Sequence, residues 1–306
     1  MSRTRNLGLF LVLAAVWGSA FMAINAGLAY FPPVLFAAFR FDVAGVVMLA
    51  YAVYVIDDPI PRGRDEWTTV AVGATLIITA YHAFLFIGES DPAVTSAVAA
   101  VIVSLSPVLT TVFARAFLPS ERLTLVGVIG LLVGLVGAVV LAAPDPSNLA
   151  GGGTVPKLLV LLAASSFALG SVLTQASDNE LPIETMEAWS MLLGALLMHL
   201  LSLALGESIA DVTWTAEAVL ALGYLSVVAS GLGFLIYFDL LDRLGPIEIN
   251  LVSYVAPVFA AIAGWLFLSE GIAPNTVAGF LIICVGFVLV KRTAFREALR
   301  EYGVIG

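Results

Sequence analysis

Long apolar runs broken by short polar pieces make up almost the entire chain. A helix needs about 20 mostly apolar residues to cross about 30 Å of hydrocarbon. By that ruler there are ten runs: Leu7–Tyr30, Val34–Ile56, Trp67–Gly88, Ala93–Phe117, Thr124–Ala142, Pro156–Ala176, Glu184–Leu205, Ala216–Phe238, Ile247–Leu268 and Ala273–Val290. The pieces between them are polar, such as DDPIPRGRDE at 57–66 and ESDP at 89–92. No run alternates with a period of two, so the pattern predicts helices and no strands.

The runs repeat themselves. SLSPVLTTVFARAFLPSE, Ser104 to Glu121, returns about 150 residues later as YVAPVFAAIAGWLFLSE, Tyr254 to Glu270. A shift of 150 positions lays Pro107 on Pro257 and Phe84-Leu85 on Phe234-Leu235. The extra Pro119 drops the shift to 149, at which Gly130 meets Gly279; upstream, Gly45 meets Gly194 at 149 as well. The expected organisation is residues 1–142 as one five-helix repeat, a Gly/Pro-rich linker at 143–155, a second repeat at 156–290 and a tail at 291–306. Five is odd, so the second copy enters the membrane from the opposite side. The expected fold is an all-α integral membrane protein, ten transmembrane helices as two five-helix inverted-topology repeats, an arrangement found in alternating-access carriers.

Composition and charge sharpen this picture. The chain is 61% hydrophobic and 11% charged, with a mean hydropathy of +1.06, so lipid is its expected solvent. With the N-terminus in the cytoplasm, eleven of the thirteen basic residues fall on inner segments, Lys157 falls outside and Arg40 lies within the span. Both termini are therefore expected in the cytoplasm, on a multi-pass protein of the cytoplasmic membrane. The start MSRTRNLGLFLVLAAVWGSA has signal-peptide features, but the apolar run continues to Tyr30 and has a counterpart in the second repeat, so it is read as a helix. A net charge of -9 argues against a nucleic-acid partner. The single Cys284 permits no internal disulfide. No phosphate-binding loop, metal-ligand spacing or serine-hydrolase motif is present, so no cofactor, metal or catalytic residue is expected.

Several of these features resemble a known family. Trp17-Gly18-Ser19 in the first helix, Arg40 early in the second, and the paired PV…FLxSE endings of helices 4 and 9 are similar to the EamA-type drug/metabolite transporter (DMT) superfamily. The resemblance covers roughly residues 7–290 and departs from the pattern at Pro119. It implies a 5+5 bundle around a central cavity and export of amino acids or other small metabolites, with drug/nucleotide-sugar exchange as an alternative.

Candidate site residues follow from the cost of polarity in lipid. Pro107 and Pro257 each remove a helix hydrogen bond, freeing the carbonyls of Val103 and Ser253, and so predict kinks that face a cavity or a packed interior. Beside them stand Ser104, Ser106 and Thr110 on helix 4, and Asn250, Ser253 and Tyr254 on helix 9. Trp17, Tyr81, His82, Ser166 and Gln175 complete the candidate cavity lining. Arg40, Asp42, His82 and Glu89 form an expected polar cluster in the outer half, with His82 able to exchange a proton. His199 reads as structural. Gly127, Gly130, Gly134 and Gly137 on helix 5 are expected to pack against Gly279 and Gly286 on helix 10. The reading is a secondary carrier for a small molecule, as a monomer or homodimer, with H+ or Na+ as coupling ion. An intramembrane lipid enzyme using Asp42 with His82 is the alternative, and a channel is a third.

Overall fold

The computed structural model describes residues 3–94, 96–118, 124–142, 153–177, 180–268, 274–290 and 292. Pro119, Glu121, Glu270, most of the linker and most of the tail lie outside them. The described residues form helices and no strands. In chain order these are α1 (Arg3–Leu28), α2 (Pro33–Val55), α3 (Gly63–Glu89), α4 (Ser96–Val103 and Ser106–Phe117) and α5 (Leu125–Ala142). The second series is α6 (Thr154–Ala176), α7 (Ile183–Ala204), α8 (Ala216–Leu244), α9 (Pro246–Asn250 and Val252–Leu268) and α10 (Pro274–Val290). Among the described residues, α1–α3 and α6–α8 are long and apolar enough to cross a membrane, and α4, α5, α9 and α10 are shorter apolar helices. The α8 helix continues past Phe238, where the apolar run stops, to Leu244. Its last turns turn one polar face outward, where Arg243 pairs with Asp239 at 2.5 Å.

The packing follows the repeat. Helix α5 lies along α10, and α2 along α7. The contact of α1 with α9 has its counterpart in that of α6 with α4, and the contact of α3 with α6 in that of α8 with α1. Adding five to each helix number, modulo ten, therefore exchanges the contacts. Where α5 meets α10 the backbones touch: a Cβ on Gly130 would strike the Gly286 carbonyl and the Val290 amide, and one on Gly137 would strike the Gly279 carbonyl. Gly134 instead makes room for the Tyr254 ring, and Gly127 sits in the first turn, its amide capped by Thr124.

Loop contacts identify two ends of the bundle. At one, the α7–α8 loop sends Glu207 to accept from the amides of Val34 and Leu35 (3.0 and 2.8 Å), satisfying orphan donors at the start of α2. At the other, Trp189 near the start of α7 donates to the Pro59 carbonyl between α2 and α3 (2.8 Å). These are called below the α3–α4 end and the α8–α9 end.

Two departures from regular α-helix are matched between the halves. Gly73–Ala80 in α3 and Tyr224–Leu232 in α8 are wound as π-helix, with hydrogen bonds to the fifth residue back. Nothing in their composition announces this. Carbonyls of these segments receive side chains from across the bundle: Leu76 O accepts from Ser166 Oγ (2.9 Å), and Ala229 O from Trp17 Nε1 (3.1 Å).

Candidate functional site

A central cavity with about 70 Å³ of space for water-sized groups lies among α1, α2, α3, α4, α6, α8 and α9. One wall is α1, through Trp17, Ala20, Phe21 and Ile24; Tyr81, His82 and Leu85 of α3 form another. Val103 and Ser106 come from α4, Phe167 from α6 and Phe234 from α8. The two pieces of α9 supply Asn250, Val252, Ser253, Ala256 and Pro257, and α2 supplies Arg40.

Aromatic rings set the shape. Trp17 meets Tyr237, Phe234 and Phe167 at centroid distances of 5.2, 5.3 and 5.9 Å. Tyr81 packs on Phe167 at 4.9 Å, and His82 on Phe41 at 4.5 Å. Against this apolar surface stands one fixed cation. Arg40 is 3% exposed; its Nε donates to Ser230 Oγ at 2.7 Å, and its guanidinium carbon lies 5.1 Å from the Phe41 ring centroid. His82 is also buried. Its Nδ1 lies 2.8 Å from the Ile78 carbonyl, which favours the tautomer with hydrogen on Nδ1 and leaves Nε2 of the neutral ring as an acceptor.

Toward the α8–α9 end, a buried chain of hydrogen bonds joins four helices. Ser171 Oγ and Tyr237 Oη are 2.5 Å apart, Tyr237 Oη donates to Asn250 Oδ1 (3.1 Å), and Asn250 Nδ2 donates to Thr110 Oγ1 (2.8 Å). Thr110 in turn donates to the Ser106 carbonyl at 2.7 Å.

Serines occupy the carbonyls that the prolines release. Ser106 Oγ donates to Val103 O at 2.7 Å, and Ser104 Oγ to Ser253 O at 3.3 Å. The two prolines are placed differently, however. Helix α4 breaks at Ser104-Leu105, so Pro107 sits in the first turn of the next piece, where its missing N–H costs little. Helix α9 breaks at Leu251, and Pro257 lies inside the following helix.

The expected cluster of Arg40, Asp42, His82 and Glu89 is not brought together. Arg40 and His82 reach the cavity. Asp42, two residues from Arg40 and so about 200° around the helix, turns away, and its carboxylate lies 2.7 Å from His199 Nε2 in a half-exposed pair. The Asp42–His82 pair needed by the lipid-enzyme alternative is therefore absent. Glu89 is buried at the end of α3, with Oε1 making no hydrogen bond among the described residues. Four further candidates lie off the cavity. Ser104 and Ser166 are turned to backbone carbonyls, and Tyr254 donates to Leu131 O at 2.9 Å with its ring on Gly134. Gln175 is half-buried near the end of α6.

Phe167, Phe234, Ser171 and Tyr237 were not singled out from sequence as site residues. Phe167 stands 150 positions after Trp17, and that spacing was the available signal. Glu187 was not singled out from sequence either; it is 1% exposed, and neither carboxylate oxygen has a hydrogen-bond partner among the described residues. No group of three or more His, Cys, Asp or Glu side chains that could hold a metal occurs among the described residues.

The model of the EamA-like transporter family matches this chain twice, over residues 5–143 and again over 156–292. The chain belongs to that family. It is 29% identical to the uncharacterized transporter YvbV of Bacillus subtilis, over 99% of this chain and 97% of that one. It is also 29% identical to a probable amino-acid metabolite efflux pump of Salmonella typhimurium, covering 94% of this chain and 96% of the relative. A solved crystal structure shares the fold with a TM-score of 0.79 at 24% identity, covering 97% of this chain and 99% of the other. The chain is thus a multi-pass membrane transporter of the EamA type, and its family and apolar helices imply a lipid bilayer around it and a small-molecule substrate within.

Proposed function

We propose that the chain is a secondary-active carrier that exports a small metabolite, such as an amino acid or related organic solute, across the cytoplasmic membrane by alternating access. In this reading all ten helices cross the bilayer, the two repeats have opposite orientation, and both termini are cytoplasmic. The α8–α9 end then faces the cytoplasm. The observation that carries the reading is a cavity formed between two sets of helices whose contacts interchange when the halves are exchanged. Such a pair can swap roles, so that the end now bonded opens while the other closes. Export is supported by the name of the Salmonella relative, a probable amino-acid metabolite efflux pump. With no nucleotide-binding loop in the chain, a proton or sodium gradient is the proposed drive.

The test is reconstitution of the full chain in liposomes loaded with single amino acids and organic acids, under imposed pH or sodium gradients. We expect saturable flux of at least one solute, abolished by Trp17→Ala. Absence of carrier-dependent flux for every solute under both gradients would overturn the reading, as would labelling that put the two termini on opposite faces.

A further inference from the structure

We propose that Arg40 is an anion anchor, and that the cavity takes a small organic monocarboxylate with an apolar body. The proposal rests on the carrier reading and goes beyond it by naming the chemical class of the substrate.

A guanidinium is expensive to hold away from water unless an anion or a set of acceptors meets it. Arg40 is almost fully buried, and its one hydrogen bond among the described residues is from Nε to Ser230 Oγ. Among the described residues no carboxylate lies within ion-pair distance of it. The acid nearest in sequence, Asp42, is bonded to His199 on another face. Among the described residues both Nη nitrogens are therefore left without a protein partner, on a residue that lines the cavity. Two parallel N–H groups on a planar fork match the two oxygens of a carboxylate.

The side chain is also held in place. Ser230 belongs to the π-helical segment of α8, and the Phe41 ring lies against the guanidinium. A snorkelling arginine would instead send its head to the bilayer surface. Nor does the fold require a cation at this position of each repeat: 149 residues on stands Trp189, which donates to a loop carbonyl.

The other walls define the rest of the ligand. Trp17, Tyr81, Phe167 and Phe234 offer ring surface for an aliphatic or aromatic body. Among the described residues one guanidinium and no lysine or second arginine line the cavity, which fits a single negative charge better than a phosphate or dicarboxylate. A bare amine would meet the guanidinium with like charge.

The test uses the purified full chain in detergent, with 4-methylpentanoate, its primary amide, 3-methylbutylamine, succinate and sodium chloride as probes. Binding is read by thermal shift and by tryptophan fluorescence, with Trp17→Phe as the fluorescence control. We expect the monocarboxylate to bind roughly tenfold or more tightly than the amide. Arg40→Gln should erase that preference, and Arg40→Lys should restore part of it. Equal binding of acid and amide, tighter binding of the amine or succinate, a response to chloride alone, or an undiminished preference in Arg40→Gln would each overturn the proposal. Should Arg40→Gln not fold, Ser230→Ala keeps the charge but frees Nε. It should weaken the acid about threefold or more and spare the amide, and an unchanged ratio overturns the anchor. The carrier reading fails separately: an Arg40-dependent preference for acid over amide with no flux in liposomes sinks the carrier and leaves the anion site standing. Flux of amines or amides without the preference does the reverse.

Discussion

At the α8–α9 end of the cavity, Ser171, Tyr237, Asn250 and Thr110 tie α6, α8, α9 and α4 together through hydroxyls and an amide. At the α3–α4 end the corresponding positions are hydrocarbon: 150 residues before Tyr237 stands Ile87, and 150 before Asn250 stands Ala100. The backbone contacts of the two halves interchange, yet the side chains at the two ends do not. Hydrogen bonds have directions and fixed lengths, so the polar chain holds four helices in one arrangement and gives way as a unit. Apolar contacts tolerate sliding at little cost. In the proposed alternating-access carrier, a duplicated scaffold would keep the geometry for two equivalent states, and divergence of a few residues would decide which end is held shut.

Removing the middle of the chain tests this most severely. Asn250→Leu deletes two buried hydrogen bonds and should cost about 2–3 kcal/mol, seen as a lowered unfolding midpoint in detergent. Ile87→Val, the corresponding perturbation at the apolar end, should cost about 1 kcal/mol. In a Cys284→Ser background, a cysteine placed at Ser106 should also become about tenfold more reactive toward a reagent added from the α8–α9 side when Asn250→Leu is introduced. Equal costs at the two ends, with no gain in reactivity, would dissolve the distinction between them.

The same end contains a cost with no visible return. Glu187 is buried in the first turns of α7 with both oxygens unpartnered among the described residues, and Thr185 Oγ1 beside it is unpartnered too. Replacing a buried polar group that makes no bond by an apolar one of similar length removes a desolvation penalty. Glu187→Met should therefore raise the unfolding midpoint by about 1–2 kcal/mol of stability. If flux falls as stability rises, the carboxylate is retained for opening this end. A destabilised Glu187→Met variant would show instead that the carboxylate contributes to holding the end closed.

How much of this was legible depends on whether the signal is carried by one helix or by several. Run length and the repeat of Pro107 with Pro257 are legible along the chain itself, and they located the apolar helices, six of them long enough to cross a membrane among the described residues. The glycines of α5 likewise pointed to α10, because close backbone approach is written in residue size. The separation of Arg40 from Asp42 was legible too, since two residues on a helix are about 200° apart. Tyr254 was not: an unbroken helix would put it on the face of Asn250, four residues earlier, but the break at Leu251 resets the phase and turns it to Gly134. The π-helical segments have no compositional mark. They arise from a one-residue shift of hydrogen bonds within ordinary apolar sequence, and side chains of distant helices, Ser166 and Trp17, occupy the carbonyls there.

The smallest expected effect compares the two released carbonyls. Val103 O, freed by Pro107, receives Ser106 Oγ at 2.7 Å; Ser253 O, freed by Pro257, receives Ser104 Oγ at 3.3 Å. The first bond is short and lies within one broken helix. The second is long and crosses from α4 to α9. Ser106→Ala should cost about 1 kcal/mol and Ser104→Ala about 0.5 kcal/mol, because net hydrogen-bond contributions fall with poorer geometry. Their kinetic consequences should run the other way. The long bond joins two helices from opposite repeats, so if they move past each other during transport it must break in each cycle, whereas the local bond need not. Ser104→Ala is therefore expected to change the turnover of a transported solute more than its apparent affinity, while Ser106→Ala, at the cavity wall, should change affinity at least as much. Parallel measurement of maximal flux and half-saturation in the two variants checks this, and the same split in both would mean that the two carbonyls play equivalent parts.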